Sequence, residues 1–181
     1  MADVAVVIGH HPEAPGAPLD LAGYTVHEHE LWAPFARELA LTLWQKSVAT
    51  DVVERPNHDP DQALADRVNA TGARAAIELH FNASRSEEAT GCDMLHYPGS
   101  AEGKRLAAEL ERRAAEALSV PARHRDTVDY PFTRLTEMPA VICEPAFGSS
   151  DGDAFKLLSE LPDLMQAYRH GLMTFLDGGN A

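Results

Sequence analysis

The chain has 181 residues, the length of one domain of ordinary size, and its 45% of hydrophobic residues is too high a share for a disordered chain. Its 15 Lys and Arg against 28 Asp and Glu give a formal net charge of -13. This balance argues against nucleic acid and anionic membrane surfaces as partners, because both reward clustered positive charge. We therefore predict one domain over residues 1–181 that binds neither nucleic acid nor a membrane.

The first residues of the chain show no export signal. Residues 1–3 carry no basic side chain, and the apolar run over residues 4–8 is too short for the hydrophobic region of a signal peptide. No stretch approaches the ~20 apolar residues of a membrane helix. We therefore expect synthesis in the cytoplasm. We also predict that Cys92 and Cys143, which lie far apart in the sequence, are buried free thiols.

Strand-like and helix-like segments alternate along the chain, which is the pattern of an α/β domain with a mostly parallel sheet flanked by helices. The predicted strands cover residues 4–9, 49–54, 75–81, 93–97 and 140–144. The predicted helices cover residues 32–46, 59–70, 101–118 and 153–176.

Several predicted helix ends carry residues that favour a cap. Asp59 and Pro60 are predicted as the N-cap and first residue of the second helix, and Ser100 as the N-cap of the third. Pro162 is expected to bend the last helix, and Gly178 with Gly179 to end it.

Polar residues fall at the ends of three predicted strands. His10, His80 and Glu144 each sit at or just past the C-terminal end of a strand, the edge where ligands bind in open α/β sheets. Side chains alternate along a strand, so Glu78 shares a face with His80 and can orient its imidazole. Glu144 ends an apolar strand, so desolvation should raise its pKa, as suits a general base. Two structural alternatives stay open: a hydrogen-bonded core histidine at position 80, and an ion pair between Glu144 and Arg134.

Residues 27–30 read His-Glu-His-Glu and precede the first long helix. Thr25 and Glu28 have the spacing of a capping box, which would give Glu28 a structural role. Pro34 is tolerated best in the first turn of a helix, so a loop over residues 27–30 is an equal alternative. In either case the segment offers metal-ligating side chains beside the helix.

Four motif-bearing segments follow one another along the chain. They are residues 6–10 with 15–17, residues 28–39, residues 77–83 and residues 138–149. Together they resemble the zinc-dependent N-acetylmuramoyl-L-alanine amidases, the peptidoglycan-cleaving enzymes of bacteria and their phages. The resemblance runs from Val4 to about Leu158. It implies a single three-layer α/β domain with a zinc site at the C-terminal edge of the strands.

The resemblance also implies roles for individual residues. The implied set consists of the zinc ligands His10, Glu28 and His80, the catalytic base Glu144, and the substrate contacts Asn82 and Arg134. Two histidines and one carboxylate with an open position are typical of catalytic zinc, here one Zn²⁺ per chain. The metal would acidify a water molecule and polarise the scissile carbonyl, and Glu144 would carry the proton to the departing amine.

The chain departs from the usual pattern of the family at three positions. His11 stands where the family has glycine, which leaves it as a rival ligand. Glu78 replaces a residue that is commonly small, and a carboxylate there can orient the strand histidine or alter the charge of the site. Glu30 is not excluded as the ligand in place of Glu28.

The activity that this resemblance implies is hydrolysis of the amide bond between N-acetylmuramic acid and L-alanine in peptidoglycan, by a monomer. The sequence shows no signal peptide and no separate wall-binding region, so we expect a phage endolysin that reaches the wall after release from the cytoplasm. Two alternatives stay open. One is a zinc carboxypeptidase-like hydrolase of another amide, and the other is a wall-binding module with a vestigial site.

Overall fold

The computed structural model describes residues 1–55, 61–86, 88–124 and 129–178. The strands in these ranges are β1 (Val4–Ile8), β2 (Pro18–Leu21), β3 (Tyr24–His27), β4 (Thr50–Glu54), β5 (Ala75–Leu79), β6 (Asp93–His96) and β7 (Ala140–Glu144). The helices are α1 (Glu28–Trp44), α2 (Asp61–Ala70), α3 (Ala101–Leu118), α4 (Pro131–Leu135), α5 (Asp151–Ser159) and α6 (Leu161–Leu176).

The central sheet has the strand order β4-β1-β5-β7-β6. The first four strands in this order run parallel, and β6 pairs antiparallel with β7 at one edge. Every residue of β1 and β5 is buried, as expected for parallel strands covered on both faces. The predicted mostly parallel sheet is therefore confirmed.

Alternate residues of each strand point to opposite sides of the sheet, so these apolar strands place side chains to be buried on both faces. Helices cover both faces. Along β1, Val4, Val6 and Ile8 belong to the larger core cluster, which includes side chains of α1, α3 and α6. Ala5 and Val7 point the other way, into a smaller cluster with side chains of α2 and α4. The sheet thus lies between two helical layers. None of the helices in the described part of the chain has both the length and the apolar character needed to cross a bilayer.

The helix caps agree with the sequence predictions in part. Ser100 is the N-cap of α3, and its hydroxyl accepts a hydrogen bond from the backbone N–H of Gly103 at 3.0 Å. The prediction of one bent helix over residues 153–176 is wrong, because α5 and α6 are separate helices and Pro162 lies in the first turn of α6. Proline suits that position because a first-turn N–H has no partner within its helix. Asp59, Pro60 and Gly179 lie outside the described residues, while Gly178 follows α6 with φ +72°.

A short hairpin ahead of α1 is the main element that the sequence did not predict. Strands β2 and β3 pair antiparallel, and the turn between them has positive φ at Ala22 (51°) and Gly23 (86°). The hairpin leads directly into α1, which begins at Glu28 and not near residue 32. Thr25 lies in β3, so the predicted capping box from Thr25 to Glu28 is wrong. The carboxylate of Glu30 instead accepts a hydrogen bond from the backbone N–H of His27 at 2.9 Å.

Candidate active site

Three side chains meet at the C-terminal edge of the sheet. His10 and His80 follow the adjacent parallel strands β1 and β5, and Glu28 is the first residue of α1. Nε2 of His10 lies 3.2 Å from Oε1 of Glu28, and Nδ1 of His80 lies 3.1 Å from Oε2 of Glu28. One ligand atom from each residue lies within 4.8 Å of the others. The structure therefore brings together the three side chains that the resemblance implied as zinc ligands.

Glu28 is held from the backbone as well as by the two imidazoles. The N–H of Ala17 donates to Oε1 at 3.0 Å, and the N–H of Phe81 donates to Oε2 at 3.1 Å. These donors offset the cost of burying a carboxylate that is 4% exposed. Burial would raise the pKa of Glu28, but hydrogen bonds and charge interactions with His10 and His80 outweigh it and lower the pKa to about 2.

His80 lies between two carboxylates. Its Nδ1 faces Glu28, and its Nε2 lies 3.6 Å from Oε2 of Glu78. Burial would lower the pKa of His80, but Glu28 and Glu78 raise it to about 10. The raised pKa favours the imidazolium form of His80, with protons on both ring nitrogens. A metal ion at Nδ1 would have to displace the proton there, because only the neutral imidazole binds metal.

The donor set fits zinc better than a hard cation. Ca²⁺ and Mg²⁺ prefer oxygen ligands, whereas two imidazoles and one carboxylate are a common set for catalytic zinc. Nε2 of His10 lies 3.2 Å from Oε1 of Glu28, and Nδ1 of His80 lies 3.1 Å from Oε2. With one ligand atom from each residue within 4.8 Å of the others, the three side chains are near enough to share one ion.

The rival ligands His11 and Glu30 are placed elsewhere. His11 is buried and pairs through its backbone with Ala14, and it is not a member of the cluster found among the described residues. The side chain of Glu30 is 59% exposed and caps the start of α1. The geometry therefore favours His10 over His11 and Glu28 over Glu30.

Two glycines make room for the histidines. A Cβ atom on Gly9 would overlap the ring of His80, so this ring packs directly against the Gly9 backbone. A Cβ atom on Gly16 would lie 2.6 Å from Cδ2 of His10, and Gly16 also has φ +86°. Side chains at either position would displace a histidine of the cluster.

Glu78 is one of the most deeply buried charged groups beside the site. Its side chain is 2% exposed, and Oε1 accepts a hydrogen bond from Nη2 of Arg55 at 2.9 Å. Burial would raise the pKa of Glu78, but His80 and Arg55 outweigh it and lower the pKa. The prediction that Glu78 lies beside the strand histidine agrees with this geometry. Arg55 was missed, although an arginine directly after a predicted strand was a signal that pointed to the same edge of the sheet.

Glu144 lies at the end of β7, the strand next to β5. It lines a cleft of about 260 Å³ that opens beside the cluster. The other residues that line this cleft are Arg55, Asp61, Glu78, His80, Tyr130, Pro131, Phe132 and Ile142. The predicted base and one predicted zinc ligand therefore face the same space.

The two predicted substrate contacts lie outside the described lining of that cleft. The side-chain amide of Asn82 donates to Oδ2 of Asp93 at 3.1 Å. Arg134, on α4, donates to Oδ1 of Asp129 at 2.8 Å. The substrate roles of Asn82 and Arg134 stay predictions.

Comparisons with known proteins agree on one family. The model of the N-acetylmuramoyl-L-alanine amidase family matches residues 4–173. The amidase LytC of Bacillus subtilis (strain 168) is 29% identical over 154 residues, which are 82% of this chain and 30% of LytC. This chain therefore spans about 30% of the length of that curated relative.

Solved structures share the fold at low sequence identity. The N-acetylmuramoyl-L-alanine amidase from Clostridium difficile 630 superposes with a TM-score of 0.83 at 21% identity, over 96% of each chain. The catalytic domain of the amidase CwlV from Bacillus (Paenibacillus) polymyxa has a TM-score of 0.77 at 20% identity, over 98% of this chain and 99% of that one. The catalytic domain of an endolysin targeting Clostridia difficile has a TM-score of 0.70 at 20% identity, over 100% and 99%. With the match to the family model over residues 4–173, the chain belongs to the N-acetylmuramoyl-L-alanine amidase family.

Proposed function

We propose that this chain is a zinc-dependent amidase that hydrolyses the bond between N-acetylmuramic acid and L-alanine in peptidoglycan. The observation that carries the proposal is the cluster of His10, Glu28 and His80, which lies beside the cleft that contains Glu144, in a chain of this family. The curated amidase relative and the shared fold support the same reaction.

Three residues would hold the metal ion. His10, Glu28 and His80 present two imidazole nitrogens and one carboxylate oxygen within 4.8 Å of one another, a donor set that suits zinc. Bound zinc would supply a Lewis acid that polarises the scissile carbonyl and acidifies a water molecule. Backbone donors from Ala17 and Phe81 hold the Glu28 carboxylate, so this ligand is in place before any ion binds.

Glu144 is the proposed general base. A carboxylate oxygen of Glu144 accepts a proton from the attacking water as the new C–O bond forms at the lactyl carbonyl. The same carboxyl group then donates that proton to the nitrogen of L-alanine as the C–N bond breaks. The products are a muramic acid carboxyl group and a stem peptide with a free amino terminus, so atoms and charges balance.

The experiment is digestion of purified peptidoglycan with identification of the new end groups. We expect free N-terminal L-alanine without new reducing sugar ends. Release of C-terminal amino acids would instead support the carboxypeptidase-like alternative. Binding to sacculi without release of any group would support the vestigial module and contradict the proposal.

A variant of the proposed base separates catalysis from metal binding. Glu144→Gln should retain zinc and lower the turnover rate by about 10²–10⁴-fold, the usual contribution of general acid–base catalysis. Glu116→Gln is the matched control, because the Glu116 side chain is 80% exposed on α3. Full activity of Glu144→Gln would contradict the role given to Glu144.

The endolysin role is proposed separately from the chemistry. The fold is shared both with an endolysin catalytic domain and with the other amidases, so it is consistent with this role without favouring it. In this role the chain acts on the wall after release from the cytoplasm in which it is made. Addition of the protein to permeabilised Gram-negative cells and to Gram-positive cells tests it, since an endolysin should lyse at least one of the two.

A further inference from the structure

Arg55 follows β4 and contacts three parts of the molecule at once. Its Nε donates to the carbonyl oxygen of Gly9 at 2.8 Å. Its Nη1 donates to Oδ1 of Asp61 at 2.9 Å, and its Nη2 donates to Oε1 of Glu78 at 2.9 Å. All three guanidinium nitrogens are thus used, in a planar arrangement that a lysine cannot reproduce.

Two of these partners lie directly behind the histidines of the cluster. Gly9 precedes His10 in the chain, and the ring of His80 packs against the Gly9 backbone. Glu78 presents its second oxygen, Oε2, to Nε2 of His80 at 3.6 Å. Arg55 therefore links the backbone under one histidine to the carboxylate beside the other.

The two ring nitrogens of His80 face two different carboxylates. Nε2 faces Glu78 on the side of Arg55, while Nδ1 faces Glu28 at 3.1 Å on the side of the cluster. A ligating histidine commonly donates its second ring N–H to a carboxylate, which fixes the orientation of the ring. Glu78 can serve that purpose only while it is itself held, because a single carboxylate that is 2% exposed is costly without a cationic partner.

We propose that Arg55 is a positioning residue of the metal centre, which holds Glu78 and the Gly9 carbonyl so that Nδ1 of His80 faces Glu28. This inference rests on the proposed function, because it assigns Arg55 to the zinc site on which that function depends. Arg55 touches neither Glu28 nor His10 through its side-chain bonds given above, so its effect passes through Glu78 and Gly9.

The test measures zinc affinity without substrate, by competition with a chromogenic chelator. Arg55→Gln should weaken zinc binding by about 10–100-fold, the usual effect of losing a partner that orients a ligand. Arg55→Lys keeps the charge and should lie between Arg55→Gln and the unaltered protein. The absorption spectrum of the Co²⁺-substituted protein should change in both variants, since it reports the ligand geometry.

Arg37→Gln is the matched control. Arg37 pairs with Glu54, the residue before Arg55, but both side chains are more than half exposed, at 59% and 57%. This variant should bind zinc as tightly as the unaltered protein. Thermal unfolding in the presence of a chelator separates a loss of stability from a loss of affinity, and Glu78→Gln replaces Arg55→Gln if the latter does not fold.

The outcomes distinguish this inference from the proposed function. Zinc affinity within twofold of the unaltered protein in Arg55→Gln and Arg55→Lys would overturn the positioning role, even if both variants unfold at lower temperature. If the unaltered protein binds no zinc, the proposed function fails and the inference fails with it. If it binds zinc but releases no L-alanine ends, the proposed reaction fails while the affinity data still decide the role of Arg55.

Discussion

Two buried carboxylates at the C-terminal edge of the sheet are each bound by one arginine. Glu78, near the end of β5, pairs with Arg55, and Asp93, at the start of β6, pairs with Nε of Arg123 at 3.2 Å. The carboxylate side chains are 2% and 0% exposed, and the arginines 21% and 33%. The two carboxylates are therefore similarly buried, although Arg55 also pairs with Asp61.

The two pairs differ in the further side chain that each carboxylate contacts besides its arginine. Glu78 faces the imidazole of His80, while Asp93 accepts a hydrogen bond from the amide of Asn82. Arg123 also lies over the ring of Phe147, 4.9 Å from its centroid. A buried ion pair alone therefore does not indicate function. The polar group that the pair orients decides whether a substitution should change zinc binding or only stability.

The strongest test of the comparison removes the two oriented groups themselves. His80→Ala should lose nearly all bound zinc, because one of three protein ligands is gone. Asn82→Ala should keep a full equivalent of zinc and lose activity only if Asn82 contacts the substrate. Elemental analysis of the purified proteins gives the zinc content. Zinc loss in both variants, or in neither, would break the distinction between the two pairs.

The glycines beside the two pairs allow a second test. Gly9→Ala should displace the His80 ring and weaken zinc binding by about 100-fold, since the new Cβ would overlap that ring. Gly91→Ala should displace Arg123, whose Cγ would lie 2.7 Å from the new Cβ, and the φ of +122° at Gly91 adds strain. Chelator competition and thermal unfolding should show lost affinity in the first variant and lost stability alone in the second. Unchanged zinc affinity in Gly9→Ala would contradict the packing of His80 on Gly9.

The sequence predicted most residues of the candidate site but not the contacts that support them. His10, His80 and Glu144 were predictable because the C-terminal ends of parallel strands meet at one edge of a sheet. Arg55 also follows a predicted strand, but its partners Gly9 and Glu78 were not predictable, because they lie 46 and 23 positions away in the chain. Local patterns do not show which side chains bond across such separations.

Glu28 shows where local patterns were misleading as well as insufficient. Residues 25–28 had the spacing of a capping box, but Thr25 is part of a hairpin whose turn lacks the strong Asn-Gly signal. The hairpin brings Ala17 beside Glu28, where the N–H of Ala17 binds its carboxylate. The choice between Glu28 and Glu30 therefore depended on an element that the sequence did not predict.

Removal of each arginine in turn is a milder test of the same comparison. Breaking a fully buried pair costs ~3–5 kcal/mol, but both arginines are partly exposed, so we expect a cost of about 1–3 kcal/mol for Arg55→Met and for Arg123→Met. Chemical denaturation of the zinc-free proteins measures this free energy of unfolding. The costs should be similar, while only Arg55→Met should change zinc affinity. A change of zinc affinity in Arg123→Met of the same size would show that the pairs are not functionally distinct.

The smallest effect is expected at the two buried thiols, which lie close to the two carboxylates. Cys92 precedes Asp93, while Cys143 lies on β7 between β5 and β6, in register with Leu79 and with Met94. Burial raises the pKa of both thiols, so neither forms the reactive thiolate near pH 8 in the folded protein. Alkylation followed by mass spectrometry should therefore find no label in the native protein and two labels after denaturation. In the arginine variants, Arg123→Met should speed the labelling of Cys92 more than Arg55→Met does, because Cys92 directly precedes Asp93 and reports opening of β6. Cys143 should respond to either variant, because its strand pairs with both β5 and β6. Equal labelling rates of Cys92 in the two variants would mean that loss of either arginine opens the whole edge of the sheet, and the two pairs would then be one cooperative unit.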